Sequence, residues 1–398
     1  DSALSPLSSA DLIRAADEPE KSPFYPYFKE RLTNLFEDDQ PSVVGLSLNY
    51  LSQALPTFSL IGLIRRLCPG TRLVLGGGLV TSWLSNPDWD NPFGGLIDDM
   101  IAGPGEAPLL GIFGISPSNG YTMPNYTPFH ETPYLSPGFV LPYSASSGCY
   151  WNRCTFCPEK AEGNSYAHTP VHEALSDIKH LAGSKNPSLI HFLDNAMSPA
   201  LLSAIADNLL GIPWYGFARI TRHLTDPGFC RNLKRSGCVM LKIGLESGDQ
   251  GVLEALDKGV DLAEASKALK NLKEAGIGTY IYLLFGTPAE TLGGARNTLD
   301  YVVRHHEYID YLNLAIFNMP AYGPDAAQLD TKDFYAGDLT LYRQFRHPGG
   351  WDRGQVRRFL NGEFRKDPAV RGIVLRDPPV FTSNHASFFL MSAGGGMS

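Results

Sequence analysis

The sequence predicts an α/β protein: a partial (β/α)6 TIM-like barrel preceded by a smaller, Rossmann-like domain of parallel strands. Three observations predict it. Strand-like runs alternate with helical patterns from residue 42 to about 320, the order that produces a parallel sheet with right-handed crossovers. The runs are nearly continuous in apolar residues, as strands of a parallel sheet are. A stretch rich in Pro, Ser, Asn and Thr at 115–137 divides the series in two, which is linker composition.

The elements follow in order. Residues 1–41 are polar, with an aromatic cluster (Phe24, Tyr25, Tyr27, Phe28) leading into a helix. SVVGLSLNY reads as a buried strand, FSLIGLIRRL as a helix ending before Pro69-Gly70, and TRLVLGGGLV as a second strand running into a glycine turn. GLIDDMIAGPGEAPLL reads as a third strand, a tight turn and a helix start, which closes a domain over 42–114. After the linker, strands are expected at 139–146, 189–195, 214–220, 239–247, 279–286 and 311–319. Between them Thr169-Pro170, Ser198-Pro199 and Asp226-Pro227 place a capping residue before a Pro at the first helical position. Asp261 and Glu264 have capping-box spacing. Six strands over 138–320 make a partial barrel rather than the full eight. Residues 321–398 are expected to cap the barrel and shape a substrate region, with the glycine-rich end at 392–398 disordered.

Composition narrows the function. The chain has 398 residues, enough for two or three domains. Its hydrophobic fraction of 43% and charged fraction of 19% are those of a protein with a full core. Lys and Arg number 33 against 41 Asp and Glu, a net charge of −8, and no basic stretch collects on one face. A nucleic acid is therefore a disfavoured partner. No apolar run reaches the length of a bilayer span, and no secretory signal pattern opens the chain, so cytoplasm is the expected compartment. The first residue is Asp1, as in a truncated or processed chain.

Of six cysteines, three fall within SSGCYWNRCTFCPEK as C-x4-C-x2-C: Cys149, Cys154 and Cys157. They lie in the loop after the first barrel strand, on the end where such barrels carry active sites. Thiolates at close spacing wrap an iron–sulfur cluster, and three ligands leave one iron open. A structural zinc wants four protein ligands; the nearest fourth candidate, His168, is eleven residues further on, so the spacing favours iron and sulfur without excluding zinc. Cys68, Cys230 and Cys238 read as core thiols.

The stretch from about 138 to 320 resembles the radical S-adenosylmethionine (radical SAM) superfamily. That family's usual signature is C-x3-C-x2-C with an aromatic residue before the last Cys; Phe156 holds that place, while the x4 spacing departs by one residue. The resemblance implies that the three thiolates hold a [4Fe–4S] cluster. It further implies that Asp194 and Asn195 in LIHFLDN approach the methionine amine and that Arg219 in GFARI takes the carboxylate. Glu246 in KIGLESG would contact the amine or ribose, and Gly286 and Pro288 in LLFGTPAET the adenine. The blander readings are an Asp194–Arg219 ion pair, Glu246 as cap of the helix starting near Asp249, and an ordinary turn at 286–288. By the same resemblance, one electron from the reduced cluster cleaves S-adenosylmethionine to a 5′-deoxyadenosyl radical, which abstracts a hydrogen from an unactivated carbon. A flavodoxin- or ferredoxin-type reductant is implied as partner.

Residues 42–114 resemble the later part of the cobalamin-binding domain fused to many members of this superfamily. The likeness implies that Ser47, Leu48, Asn49, Gln53, Gly76, Gly77, Gly78 and Glu106 approach the corrin or its nucleotide tail, since small residues let backbone come close to a bulky ligand. The DxHxxG motif that supplies an axial imidazole elsewhere is absent, and no His precedes His130. The expected activity is cobalamin-dependent methyl transfer to an unactivated carbon of a peptide or natural product. The alternative is a cobalamin-independent radical SAM enzyme (cyclisation, rearrangement or dehydrogenation) with a vestigial N-terminal domain; a non-catalytic metal scaffold is a third reading. Tyr166, Tyr322 and His385 are candidate substrate-facing residues.

Overall fold

A computed structural model describes residues 3–37, 40–116, 121–129, 132, 134–378 and 382–394. The chain divides into two units: residues 1–120 with 318–345, and residues 121–317 with 346–398.

The smaller unit is built on a parallel sheet of β1 (Val43–Ser47), β2 (Arg72–Gly76) and β3 (Asp99–Met100), in that order. The helix Leu51–Leu67 crosses from β1 to β2 and buries Phe58, Ile61 and Ile64 against Leu73, Leu75 and Trp83. The helix Ser9–Asp17 lies across it so closely that a Cβ at Gly62 would sit 1.8 Å from the Ala16 carbonyl oxygen. Glycine is the residue that permits this crossing. The third strand is only two residues long, shorter than its apolar sequence suggests, because Asp98 and Asp99 engage Arg65 and Arg72 at its start.

The larger unit carries six parallel strands, β4 (Val140–Tyr143), β5 (Leu189–Phe192), β6 (Trp214–Ala218), β7 (Cys238–Glu246), β8 (Gly278–Phe285) and β9 (Tyr311–Ile316), paired in sequence order. Each matches an expected strand, and all six end one to three residues sooner. Their outer faces (Leu141, Ile190, Trp214, Leu241, Ile243 and Leu283 among them) pack on the surrounding helices. At the lower end of the inner face, Leu189, Tyr215, Met240, Tyr280 and Tyr311 meet Ala386 and Phe388 of the helix Thr382–Gly394. That helix plugs the barrel's floor.

Helix capping follows the sequence at three places. Ser198 accepts from the Leu201 amide, Asp226 from Gly228 and Asp261 from Glu264. It departs at two. Pro170, not Thr169, precedes the helix Val171–Lys185, and the Glu264 carboxylate turns to Arg222 at 3.5 Å.

The expected domain boundaries also shift. The polar stretch after residue 120 packs on the barrel, because Tyr121 bonds to Asp177 and Tyr126 to the Pro142 carbonyl. Residues 318–345 belong to the smaller unit. Their antiparallel strands (Met319–Pro320, Thr331–Asp333, Tyr342–Phe345) join the smaller unit, where Leu339 enters the core and its amide bonds to Leu7. Tyr322 goes with them. Of the expected disordered end, residues 395–398 lie outside the described residues.

Candidate active site

The cysteine loop opens after β4 and is framed by a short antiparallel pair, Ser146–Ser147 with Ala167–His168. At Gly148, φ is +69° and a Cβ would meet the Ser165 carbonyl at 2.6 Å. The four-residue spacer between Cys149 and Cys154 turns at Asn152, which adopts the left-handed conformation (φ 43°). The loop is held from beneath by the segment after the helix Gln250–Ala255. The Trp151 indole donates to the Asp257 carbonyl at 2.9 Å, the Thr155 amide to the Leu256 carbonyl at 3.1 Å, and Arg153 pairs with the Asp257 carboxylate at 3.0 Å. Gly259 has φ +65°, and its missing side chain leaves room for the Trp151 ring.

All three thiols are free; Cys154 is buried, Cys149 and Cys157 half-buried. Burial raises the Cys157 thiol above its ordinary value, opposed by the amides of Glu159 and Lys160, with Cys154 and Cys149 near enough to raise it further. Among the described residues no group of three or more His, Cys, Asp or Glu is arranged to hold a metal ion. The donor set nonetheless fits an iron–sulfur cluster: three unpaired thiols on one loop, backbone amides directed at one sulfur, and an aromatic collar of Tyr150, Trp151 and Phe156. Hydrogen bonds to sulfur and exclusion of solvent are the features that tune such centres.

Arg219, 7% exposed, reaches this loop from the end of β6. Its guanidinium lies 4.4 Å over the Trp151 ring, places Nη1 3.8 Å from Cys154 Sγ, and donates to the Lys258 carbonyl. It makes no ion pair with Asp194. Asp194 accepts instead from the Ala145 amide at 3.2 Å and from Ser146 Oγ at 2.5 Å. Burial pushes its carboxyl above the usual range while those bonds pull it down. A cavity of about 380 Å³ lies beside it, lined by Ser146, Tyr150, Tyr166, His168, Asp194 and Ser198. The Tyr150 hydroxyl is buried there, with the Arg219 guanidinium near enough to act on it. Asn195, next in sequence, is exposed.

Glu246 ends β7 in a left-handed conformation (φ 69°), a strained state for a residue with a side chain and a recurrent mark of functional sites. It caps no helix; Asp249 caps Gln250–Ala255. Its Oε1 lies 2.7 Å from Lys258 Nζ, both side chains almost buried. The pair leans over Gly244, where a Cβ would fall 2.5 Å from Glu246 Oε1. Lys258 Nζ is also 5.6 Å above the Phe156 ring. Gly286 turns the chain after β8 with φ +79°. Its amide donates to Glu290, which also accepts from the Trp351 indole at 2.8 Å. Burial pushes Glu290 up to about 7, against the pull of both hydrogen bonds. His347 donates from Nε2 to the Thr287 carbonyl at 2.9 Å and accepts two amides at Nδ1, so the 286–290 turn, with half-buried Pro288, is tied to 347–351.

Cys149, Cys154, Cys157, Phe156, Arg219 and Glu246 thus gather around one mouth, while Asp194 and Tyr166 line the adjoining cavity. His385 is half-buried on the plugging helix, its Nε2 3.1 Å from the Leu135 carbonyl. Lys258, Trp151, Glu290 and Trp351 escaped the reading of the sequence. A signal existed for Lys258: it sits between Asp257 (φ 48°) and Gly259, in a D-K-G turn.

Residues 143–302 match the family model described as the radical SAM superfamily. Those residues, within the larger unit, form a radical SAM domain. Among curated proteins, an uncharacterised methyltransferase of Pyrococcus horikoshii is 25% identical over 43% of this chain and 38% of its own length. A bacteriochlorophyllide d C-12(1)-methyltransferase of Chlorobaculum tepidum is 23% identical over 48% and 43%. The chain therefore spans less than half the length of these relatives. Among solved structures, the radical SAM methyltransferase TsrM of Kitasatospora setae, with tryptophan and a SAM analogue bound, superposes with a TM-score of 0.66 at 18% identity, covering 98% of this chain and 92% of that one. The cobalamin-dependent radical SAM enzyme OxsB with aqua-cobalamin gives 0.55 at 18%, over 73% and 46%. These likenesses are of fold.

In the smaller unit, a cavity of about 350 Å³ opens at the carboxyl ends of the strands, lined by Ser47, Gly76, Gly77, Gly103, Gly105 and Leu109 among others. Gly77 (φ +105°) is needed for packing, since a Cβ would lie 2.5 Å from the Leu48 carbonyl. Leu48 is wholly buried, and its amide and carbonyl bond to Gly76 and Leu79. Asn49 bridges Ser47 and the Gly78 amide, and Gln53 accepts from the Asn49 amide; neither lines the cavity. Glu106 is exposed at the start of the helix Glu106–Ile112. No helix among the described residues is long and apolar enough to cross a membrane.

Proposed function

We propose that this chain is a radical SAM enzyme that transfers a methyl group, with cobalamin, to an unactivated carbon of a peptide or natural-product substrate. The observation that carries the first part is the convergence of three free thiols, the Arg219–Trp151 stack and the strained Glu246 at one barrel mouth. Cys149, Cys154 and Cys157 would hold a [4Fe–4S] cluster. When bound, the cluster supplies the electron that cleaves S-adenosylmethionine, and cobalamin the methyl group that is transferred.

The chain's own residues bind and orient. Lys258 occupies Oε1 of Glu246 and leaves Oε2 to accept an ammonium group. Arg219 sets a fixed positive charge beside Cys154. Phe156 and Trp151 wall the loop from water, the Gly286–Pro288 turn offers backbone to an adenine, Asp194 lines the side cavity, and exposed Asn195 follows it in sequence. In the smaller unit, Ser47, Gly76 and Gly77 leave a bulky planar ligand access to backbone at the strand ends. Asn49, Gln53, Gly78, Leu48 and Glu106 support those loops. The cavity over the glycines favours cobalamin use over a vestigial domain. A flavodoxin- or ferredoxin-type protein would deliver electrons.

The test is anaerobic reconstitution with iron, sulfide and hydroxocobalamin, followed by an absorption spectrum and assays for 5′-deoxyadenosine and S-adenosylhomocysteine under reducing conditions. Iron–sulfur and corrin bands with turnover of S-adenosylmethionine are expected. Cys149→Ala, Cys154→Ala or Cys157→Ala should abolish the iron–sulfur band and turnover while the corrin bands persist. Stoichiometric zinc in place of iron would overturn the reading; a cluster without corrin would overturn its cobalamin part.

A further inference from the structure

The inner face of the barrel carries one buried ammonium group that nothing at the mouth uses. Lys242 lies on β7, four residues before Glu246 and on the same face, about 13 Å down the bore at the usual strand rise. It is 2% exposed. Its Nζ lies 5.0 Å from the Tyr215 ring centre and 5.1 Å from that of Phe217. Its hydrogen-bond partner is an amide oxygen, Asn384 Oδ1, at 3.4 Å. The nearby His191, stacked 4.2 Å from Tyr215, is held neutral by burial and by Lys242, its own value pushed down to about 4. Lys242 is itself pushed down to about 8, with burial the cause and no carboxylate acting on it. The group is therefore still cationic at neutral pH.

A buried cation without an anion is costly, and a long contact to a neutral amide is weak compensation. Above it, Phe217, Tyr282, Asn313 and Ala315 on the same inner face are half-exposed, and at Gly244, the inward position between Lys242 and Glu246, the Glu246–Lys258 pair takes the space a side chain would fill. Phe217 and Tyr282 form an aromatic wall, their rings 5.0 Å apart. Below, the plug of Tyr280, Tyr311 and Phe388 closes the bore.

We infer that Lys242 anchors a carboxylate of the substrate, whose flat apolar body lies against Phe217 and Tyr282 and points its far end at the mouth. Asn384 holds the ammonium group until that carboxylate replaces it. The site selects a small organic acid of planar body, with one cation at its floor and aromatic faces at its side. This rests on the reading of the mouth as the S-adenosylmethionine site.

The test measures binding of benzoate, benzyl alcohol and phenyl phosphate to the full chain by tyrosine and tryptophan fluorescence. Wild type should bind benzoate in preference to the other two. Lys242→Met should weaken benzoate by about tenfold or more, the scale of one charge-assisted hydrogen bond, while Lys242→Arg retains it. Asn384→Asp, which sets a carboxylate of the chain itself on Lys242, should weaken benzoate equally and does not depend on the Met variant folding. Benzoate binding unchanged in both variants, no benzoate binding in wild type, equal binding of benzyl alcohol, or tighter binding of phenyl phosphate would each overturn the inference. Iron–sulfur absorption and S-adenosylmethionine affinity, measured on the same Lys242→Met protein, should match wild type. Their absence from wild type would defeat the functional reading instead.

Discussion

The two units use parallel sheets differently. At the barrel mouth, charged and sulfur-bearing side chains are driven inward and matched: Glu246 with Lys258, Arg219 with Trp151 and Cys154, Glu290 with Gly286 and Trp351. At the strand ends of the smaller unit the lining is glycine, serine and aliphatic, and its ion pairs, such as Arg72–Asp99, lie on the outside. The first arrangement pre-sets an electric field for a small polar ligand. The second offers backbone rather than charge. A side chain removed from the barrel mouth leaves a buried partner uncompensated, whereas one added to the smaller unit collides with main chain.

The sharpest way to break this contrast is at the buried pair. Lys258→Met leaves Glu246 unpaired, and loss of one partner of a buried pair costs about 3–5 kcal/mol. Chemical denaturation should show that loss in the barrel's transition, accompanied by weaker S-adenosylmethionine binding. The double variant Lys258→Met/Glu246→Gln should recover much of the stability and none of the binding. If the single variant is as stable as wild type, the pair is solvated and the contrast fails.

The converse test adds one methyl group to the smaller unit. At Gly77, with φ +105° and the Leu48 carbonyl in the way, Ala should cost about 1–3 kcal/mol of backbone strain and reduce corrin uptake. The iron–sulfur absorption of the barrel should be untouched. Equal loss of both cofactors would mean that the units do not respond separately.

The smallest effect is a pH slope. Glu290 in the folded protein holds its proton up to about pH 7, against an ordinary value of 4.5. Its contribution is therefore fully present below pH 4.5 and is lost as pH rises through 7. Glu290→Gln should flatten the stability profile across that window, read from thermal midpoints at successive pH values. An unchanged slope would assign it to another group.

Much of this was legible in the chain itself. The six barrel strands, the cysteine trio and the caps at Ser198, Asp226 and Asp261 could be read because each is local. Strand alternation, a helix start and a nine-residue cysteine loop depend on neighbours close in sequence. What the tertiary structure decided depends on partners far apart. Residues 318–345 follow the barrel in sequence yet fold with residues 1–120, because Leu339 and the Leu7 backbone complete that core. Lys258 reaches back twelve positions to Glu246, and Trp351 sixty-one to Glu290. Lys242 is an ordinary lysine in a strand until the barrel curves its face inward and burial removes water from it. Periodicity tells which face of an element is apolar; it does not say what will stand opposite a charge once that face is closed.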